Sequence, residues 1–493
     1  MFPTLRELGK YVAKYPFVPV SLAIPVHKSE LDKLIAYFSQ QTDFLYLDGG
    51  KHSLGNYSYF VIEPTASLKL LDGKLKITKS KQSQTQSIEP HQYLTKLLQH
   101  YQQPLIAGMP PFSGGLIGYF SYEYTKYFQN HVHFHQENPN NLQDFGLFLC
   151  SKIVVFDHDQ KQLLLIENIS TKNLQQNYRK AAANFEKLST RIMAILKQGF
   201  ELPKLTLTQK FSPRFSVAEY ATKVHQAQEK IVSGDIFQLI MSNPQYGHLK
   251  GGLLPLLHQL IATEPNAYHF FMQQDDFSAV AASPETLVTK DHDFLASYPL
   301  AGTRKLTGNS VKDQKHIADL LSSEKELAEH NMLVDLGRND LGQVSRFGSV
   351  KVVKHAYLEK FATIVHLAST IRSQVAPGKS LLDIFEAVFP AGTLSGAPKV
   401  RAIQIIDQLE QMKRGLYGGT FGYLSFSGQV DLAIGIRLLH RTGDLACLHT
   451  GAGIVADSSA ANEYQECRNK ARSVQQALQQ VLNQEEKTNG FIN

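Results

Sequence analysis

Cysteine is nearly absent. The 493 residues hold three, Cys150, Cys447 and Cys467, far apart and odd in number. That excludes a disulfide framework and a zinc ligand set, and it fits a chain kept in a reducing compartment. Long apolar runs are missing too: no stretch approaches the ~18 residues of a membrane-spanning helix. The most apolar segment, Phe145 to Phe156, is interrupted by Lys152. The first residues, Met1-Phe-Pro-Thr-Leu-Arg-Glu, carry charge where a signal peptide has its apolar core. The expected location is therefore the cytoplasm, with no membrane partner. Neither charge sign is in excess: 50 Lys and Arg against 44 Asp and Glu leave +6, too dilute to imply a nucleic-acid partner. No GxGxxG or GxxxxGK[ST] loop occurs, which argues against nucleotide binding through a phosphate cradle. No internal repeat is evident, and low complexity is confined to residues 79 to 87, read as an exposed hairpin tip.

What is present is a large globular chain. Its length exceeds a single module of roughly 150 residues, and 43% hydrophobic against 19% charged residues excludes disorder as the main state. Residues 40 to 170 are strand-like, with Phe44-Leu-Tyr-Leu, Tyr57-Ser-Tyr-Phe-Val-Ile and Ile153-Val-Val-Phe as short apolar runs. Ser113-Gly-Gly-Leu-Ile-Gly-Tyr-Phe reads as a glycine-kinked strand. A helix is expected over 172 to 199. The stretch Glu201 to Pro213, with Pro203 and Pro213, reads as a linker that separates an N-terminal section, 1–205, from a second section, 216–493. In the second section Ser216 and Glu219 form a capping box ahead of a helix ending at Gly234. Further helices are expected over 314 to 336, Pro398 to Gln411 and Asn462 to Asn483. The mixture gives an α+β fold class.

Two acidic pairs stand out. Glu326-Leu-Ala-Glu329-His330 and Glu463-Tyr-Gln-Glu466-Cys467 each place two carboxylates at i,i+3 on one helical face, and Lys470 follows Glu466 at i+4. Brought together they make an oxygen-rich site of the kind Mg²⁺ prefers, although a solvated helix face presents the same spacing. Asp335-Leu-Gly-Arg-Asn-Asp340 reads as a helix end breaking at Gly337 into a polar loop. Gly392-Thr-Leu-Ser-Gly-Ala-Pro-Lys is a small-residue loop ahead of a Pro-started helix whose free N–H groups suit an anion. Thr450-Gly-Ala-Gly-Ile-Val offers further accessible amides, and Tyr417 and Arg437 add a hydroxyl and a fork-shaped donor for a carboxylate. Together these features point to a small polyanion bound through Mg²⁺ and backbone amides.

Five stretches in order carry a resemblance: Pro299-Leu-Ala-Gly-Thr-Arg, Asp335-Leu-Gly-Arg-Asn-Asp-Leu, Gly392-Thr-Leu-Ser-Gly-Ala-Pro-Lys, Gly418-Gly-Thr-Phe-Gly-Tyr, and Gly451-Ala-Gly-Ile-Val-Ala-Asp-Ser followed by Glu463-Tyr-Gln-Glu-Cys. They resemble the chorismate-utilising enzymes, most of all the large subunits (component I) of anthranilate synthases. The likeness is dense from about 216 to 480. Before that, Val18-Pro-Val, Pro111-Phe-Ser-Gly-Gly and Gly118-Tyr-Phe fit the family's N-terminal, regulatory and amidotransferase-interacting domain. The resemblance implies a two-domain β-sheet sandwich with helices packed on the outside, and Mg²⁺ as cofactor.

It also implies roles. Glu329 and Glu466 match the Mg²⁺ ligands, with Glu326 and Glu463 as water-mediated partners. Glu285, in Ser283-Pro-Glu-Thr, matches the general acid for the departing C4 hydroxyl, which requires burial or nearby negative charge to raise its pKa. Read alone, Glu285 is a strand-end carboxylate in water and His366 a core histidine. In the family His366 matches the histidine beside the C1 carboxylate, important for pyruvate elimination. Tyr417, Arg437 and the amides of Gly451, Ala452 and Gly453 match the clamp on the enolpyruvyl carboxylate. Thr393 and Lys470 match residues lining the ring and carboxylate, with Gly302 and Thr303 beside them. Asp335, Arg338, Asn339 and Asp340 fit the scaffold better than the chemistry.

Two positions separate the family's reactions. Water-using relatives, the isochorismate and salicylate synthases, carry a Lys where this chain has Gln238, and a neutral Gln cannot activate water while ammonia needs no base. Many aminodeoxychorismate synthases carry a Lys at Ala301, from which a covalent attack on C2 starts; Ala301 favours ammonia addition followed by pyruvate elimination, as in anthranilate synthase. Aminodeoxychorismate synthase remains the alternative, and a non-catalytic scaffold subunit would require loss of Glu285, Glu329, His366 or Glu466. No Gly-x-Cys-x-Gly nucleophile elbow is present, so the resemblance implies a separate glutamine amidotransferase subunit as partner. The family's tryptophan pocket is degenerate here: Tyr46-Leu47-Asp48-Gly49 loses a Ser hydroxyl at Gly49, and Glu264-Pro265-Asn266-Ala267-Tyr268-His269 differs at Ala267 and His269. That puts tryptophan inhibition in doubt. The chain has no Trp at all, which suits an enzyme made when tryptophan is scarce.

Overall fold

The computed structural model describes residues 1–134, 137–361 and 364–490, with side chains described as far as 484. Two large antiparallel sheets, one of 11 strands and one of 12, pack face to face, with a third sheet of three strands beside them. Their inner faces meet in one core that takes Leu45, Leu47, Phe270 and Ala279 from the first sheet and Ile117, Phe148, Phe421 and Ala433 from the second. The outer face of the first sheet is covered by the helices Leu31–Phe38, Leu174–Leu196, Leu254–Thr263 and Ala460–Gly490. The outer face of the second is covered by Pro90–His100, Glu324–Gly342 and Leu381–Val388. The expected α+β sandwich with outside helices is what forms. No helix of the described residues is long and apolar enough to cross a membrane.

The glycine-kinked strand Gly115–Phe120 forms and is buried along its whole length. Gly118 lies opposite Gly422 and Leu147 at φ +149°, so close to the carbonyl of Gly146 that a side chain has no room. This strand joins the sequence sections, because it pairs with Thr420–Ser425 on one side and Phe145–Cys150 on the other. In the first sheet the junction is Asp43–Asp48 against Tyr268–Gln274.

Three local expectations are corrected. The stretch read as a linker contains the edge strand Leu205–Pro213, which pairs with Gln245–Gly251; Leu205 is buried and anchors it. The helix expected over 314 to 336 is two helices, Ser310–Ser322 and Glu324–Gly342, divided at Ser323, whose Oγ accepts from the Glu326 N–H and caps the second. The loop expected after Asp335 is the continuation of that helix. Gly337 is there for close packing rather than for a turn, since a Cβ would lie 2.8 Å from the Ile371 Cδ1. Asp340 is held by Lys399 at 2.8 Å. Elsewhere the pattern reads true: the Ser216–Glu219 capping box opens Val217–Val232, and residues 79 to 87 form the tip and exposed arm of a hairpin.

Candidate active site

Glu285 occupies the turn between the strands Phe277–Ser283 and Thr286–Asp291. Its N–H donates to the Ser283 Oγ at 3.3 Å and its carbonyl accepts from the Ile434 N–H at 2.9 Å, so the backbone is pinned. The side chain is 9% exposed, and the Thr393 Oγ1 donates to Oε1 at 2.9 Å. Burial pushes the carboxyl up to about 7, against the opposing influence of the Thr393 hydrogen bond and the Lys470 charge. Near neutrality a large share of the molecules thus carries a proton here, as an acid catalyst requires. A cavity of about 50 Å³ adjoins the pair, lined also by Pro299, Leu336 and Gly337.

The three-stranded sheet forms a second wall. Gln238–Ser242 runs between Gly396–Ala397 and Gly451–Ile454, with Ile240 opposite Gly453 and Ser242 opposite Gly451. Gly451 has no room for a Cβ, which would lie 2.6 Å from the Tyr417 hydroxyl oxygen. The Tyr417 ring is stacked on His449 at 4.3 Å. The Gln238 Oε1 is buried with no hydrogen-bond partner among the described residues, and its Nε2 would be 3.0 Å from a Cβ on Gly453. The Lys470 Nζ donates to the Gly451 carbonyl at 3.1 Å and pairs with Glu466 at 2.7 Å. Arg437 adopts φ +51° and donates to the Ser473 Oγ at 3.1 Å. No carboxylate lies within ion-pair distance of it among the described residues, and desolvation pulls its pKa down. A cation taken out of water with no paired carboxylate, only the more distant Glu264 charge acting on it, is suited to a bound anion.

The third wall is the strand Ile364–Gln374, where His366 lies opposite Thr303. The His366 Nδ1 is 3.0 Å from the Gly302 carbonyl oxygen and 3.0 Å from the Thr303 Oγ1. A carbonyl only accepts, so Nδ1 carries the proton and Nε2 keeps a bare lone pair. That Nε2 is buried without a partner among the described residues. Burial, helped by the charges of Arg437 and Lys470, brings the imidazole down to about 4, so it is neutral at physiological pH. Lys470 acts on both Glu285 and His366, which places the acid, the imidazole and the two cations in one electrostatic field. Gly302, at φ +60°, lies so close to the helix that a Cβ would be 2.8 Å from the Glu326 Oε2. Ala301, opposite Leu367 in the adjoining strand, offers no amine.

The acidic pairs lie on the helices Glu324–Gly342 and Ala460–Gly490. All four carboxylates are half-buried. Burial and the charges of Glu326 and Glu466 raise the Glu329 pKa, and burial with Glu466 raises that of Glu463. The two faces therefore feel each other. Glu326 is paired with Arg304 at 2.9 Å, Glu466 with Lys470, and Glu463 accepts from the Ser458 Oγ at 2.9 Å; Glu329 has no hydrogen bond or ion pair among the described residues. Among those residues no three His, Cys, Asp or Glu side chains gather closely enough to hold a metal ion. In charge and donor type the set fits a hard divalent cation, with Glu329 free to ligate. In position, Arg304 and Lys470 draw two of its members aside.

Sequence reading missed Arg304, which ties Glu326 and Asp319 to the strand Leu300–Lys305, and His449, which supports Tyr417. Arg304 directly follows the Pro299-to-Thr303 motif, so its place beside the site was available in the pattern. The degenerate positions lie elsewhere. Gly49 packs against Ser53, Ala267 is buried, and the buried His269 has its Nε2 3.0 Å from the Glu264 carbonyl and its Nδ1 3.6 Å from Asp48. Although burial opposes it, the imidazoles of His158 and His269, each 3.6 Å away, hold the Asp48 carboxyl well below the usual range.

Comparison with known proteins agrees with this geometry. Residues 42–476 match the model of the chorismate binding enzyme family. Anthranilate synthase component 1 of Acetivibrio thermocellus is 30% identical over 493 residues, covering 97% of this chain and 99% of the relative. Aminodeoxychorismate synthase component 1 of Bacillus subtilis is 32% identical over 434 residues, covering 88% and 91%. The crystal structure of anthranilate synthase component I from Streptococcus pneumoniae superposes with a TM-score of 0.75 at 30% identity, covering 92% of this chain and 99% of that one. With a family model spanning most of its length and full-length relatives at this identity, the chain belongs to the chorismate binding enzymes.

Proposed function

We propose that this chain is the large subunit of an anthranilate synthase, converting chorismate and ammonia to anthranilate and pyruvate. The observation that carries the reading is the pairing of two groups with opposite proton habits in one field. Glu285 is a buried carboxyl able to give a proton near pH 7, and His366 is a neutral imidazole with a free Nε2 able to take one. In this reading Glu285 protonates the C4 hydroxyl as its C–O bond breaks and water leaves, while ammonia forms a bond to C2. The His366 Nε2 then removes the C2 proton as the C3–O bond breaks, the enolpyruvyl group leaves as pyruvate, and the ring becomes aromatic. Arg437, Tyr417 and the amides of Gly451 to Gly453 hold the enolpyruvyl carboxylate. Ala301 supports direct ammonia addition, and the buried, unpaired Gln238 oxygen is an acceptor for ammonia rather than a base for water.

Mg²⁺ would be held by Glu329 and Glu466, with Glu326 and Glu463 around it. When bound it supplies Lewis-acid stabilisation of charge at the C1 carboxylate. Relatives named component 1 imply a second component; we assign that role to a glutamine amidotransferase, since this chain lacks a nucleophile elbow. The nucleophile is the test. The purified chain is expected to consume chorismate with ammonium salts and Mg²⁺ but not with glutamine. Equal rates with water alone, yielding isochorismate, would contradict the reading.

A further inference from the structure

Arg414 is 1% exposed, among the most deeply buried side chains of the protein. Its guanidinium makes four hydrogen bonds. Nε and Nη2 donate to Glu410 at 2.9 and 2.6 Å, Nη1 donates to the Leu394 carbonyl at 2.7 Å, and Nη2 donates to the Ile240 carbonyl at 2.7 Å. The cation also lies 4.7 Å from the Tyr122 ring centre and 5.7 Å from that of Tyr417. Glu410, itself 1% exposed, accepts in addition from the Ser242 N–H at 2.7 Å. The backbone of the turn is held from the N-terminal section, where the two oxygens of Glu123 accept from the Arg414 and Gly415 N–H groups at 2.6 and 3.0 Å.

The partners of this one side chain belong to three different parts of the site. Leu394 follows Thr393, the donor to Glu285. Ile240 lies in the strand that begins at Gln238 and faces Gly453. Tyr417 is the hydroxyl beside Gly451, its ring stacked on His449. Arg414 itself is enclosed by these partners, and no other described side chain bonds both carbonyls. A planar fork with fixed donor directions sets the separation of the two carbonyls, which a lysine's single ammonium cannot reproduce. Glu410 supplies the counter-charge that lets the cation stay buried.

We propose that Arg414 is a positioning residue for the reaction: by clamping the Leu394 and Ile240 carbonyls it fixes the Glu285–Thr393 acid relative to the Gln238 and Gly451–Gly453 wall. The inference rests on the proposed reading in taking chorismate as substrate and Glu285 as the acid. Arg414→Lys keeps the charge and the pairing with Glu410 but not the fork. Initial rates are read as chorismate consumed over a range of pH, beside thermal melting. The variant is expected to melt close to the wild type, with kcat lower by about 10²-fold, the cost of roughly 1 Å of misplacement, and KM within about threefold. The basic limb should move to higher pH, because Glu285 loses the Thr393 hydrogen bond that opposes burial while Lys470 still faces it. Unchanged kcat in a folded variant overturns the proposal, and so does loss of activity in step with loss of melting temperature, which is the mark of a merely structural role. If Arg414→Lys does not accumulate as folded protein, Glu410→Gln reads the same geometry, since it keeps an acceptor but removes the counter-charge. A fall in kcat of about tenfold at steady KM supports the clamp, and an unchanged kcat overturns it. The wild-type product is identified separately, so a different chorismate product would correct the parent reading and leave the clamp standing.

Discussion

Glu285 and Thr393 are joined at 2.9 Å in a buried pocket, whereas Glu326, Glu329, Glu463 and Glu466 are half-buried, and all but Glu329 are drawn toward Arg304, Lys470 and Ser458. The first region is finished by the protein alone. Its proton site is made by desolvation, which the surrounding strands and the Gly392–Leu394 turn supply whether or not substrate is present. The second cannot be finished that way. Glu326 and Glu466 are already paired with cations and Glu463 with a hydroxyl, while Glu329, without a partner among the described residues, stays partly hydrated, because burying an unpaired carboxylate costs far more than a hydrogen bond returns. On the proposed reading the acid chemistry belongs to a preformed group, and the charge neutralisation to the acidic pairs together with a bound cation.

The largest expected effect lies in the second region. Glu329→Gln or Glu466→Gln removes an anionic oxygen, and turnover should be lost while circular dichroism stays that of the folded chain. Near-normal Mg²⁺-dependent rates in either variant would remove these residues from the cation site. In the first region Glu285→Gln keeps the shape and deletes the acid, with kcat falling by about 10²- to 10⁴-fold and little change in the Mg²⁺ dependence. A change confined to the Mg²⁺ requirement would erase the distinction between the regions.

Proton linkage sharpens it further. On the proposed mechanism Glu285 acts in its protonated form, and burial brings its pKa to about 7, so kcat/KM for chorismate at fixed free ammonia should fall as pH rises through that value. Thr393→Val removes a hydrogen bond that lowers this pKa, which moves the limb upward and lowers kcat by about tenfold. A limb that stays in place would detach Thr393 from the acid. The smallest effect is expected from tryptophan. With no hydroxyl at Gly49 and His269 turned inward to Glu264 and Asp48, a lost polar partner costs about 1–3 kcal/mol, so two such changes weaken binding by roughly 10²-fold. Half-inhibition at low micromolar tryptophan would show that the repacked pocket still binds it.

The sheets and most helix starts were legible because they follow local rules: the period of apolar residues, the Ser216 capping box, the Gly118 kink. The edge strand Leu205–Pro213 was not, because its pairing with Gln245–Gly251 is decided by a partner distant in sequence while its prolines and polar residues read as linker. Gly337 misled for a related reason: a glycine needed for contact with Ile371 looks the same in sequence as one needed for a turn. At the site, residue types were legible from motifs, including a carboxyl at Glu285 that had to be buried. The free Nε2 of His366 was not, since it follows from the Gly302 carbonyl taking Nδ1. Arg414 carries no motif of its own and becomes visible only through what it holds.

The central claim is most directly tested by product stoichiometry. The purified chain, given chorismate, Mg²⁺ and an ammonium salt at high pH, is assayed at the same time for anthranilate by fluorescence and for pyruvate by a coupled reduction. The account predicts the two in equal amounts from the first turnovers. Accumulation of an aminodeoxychorismate with no pyruvate released would contradict it and assign the chain to the aminodeoxychorismate synthases.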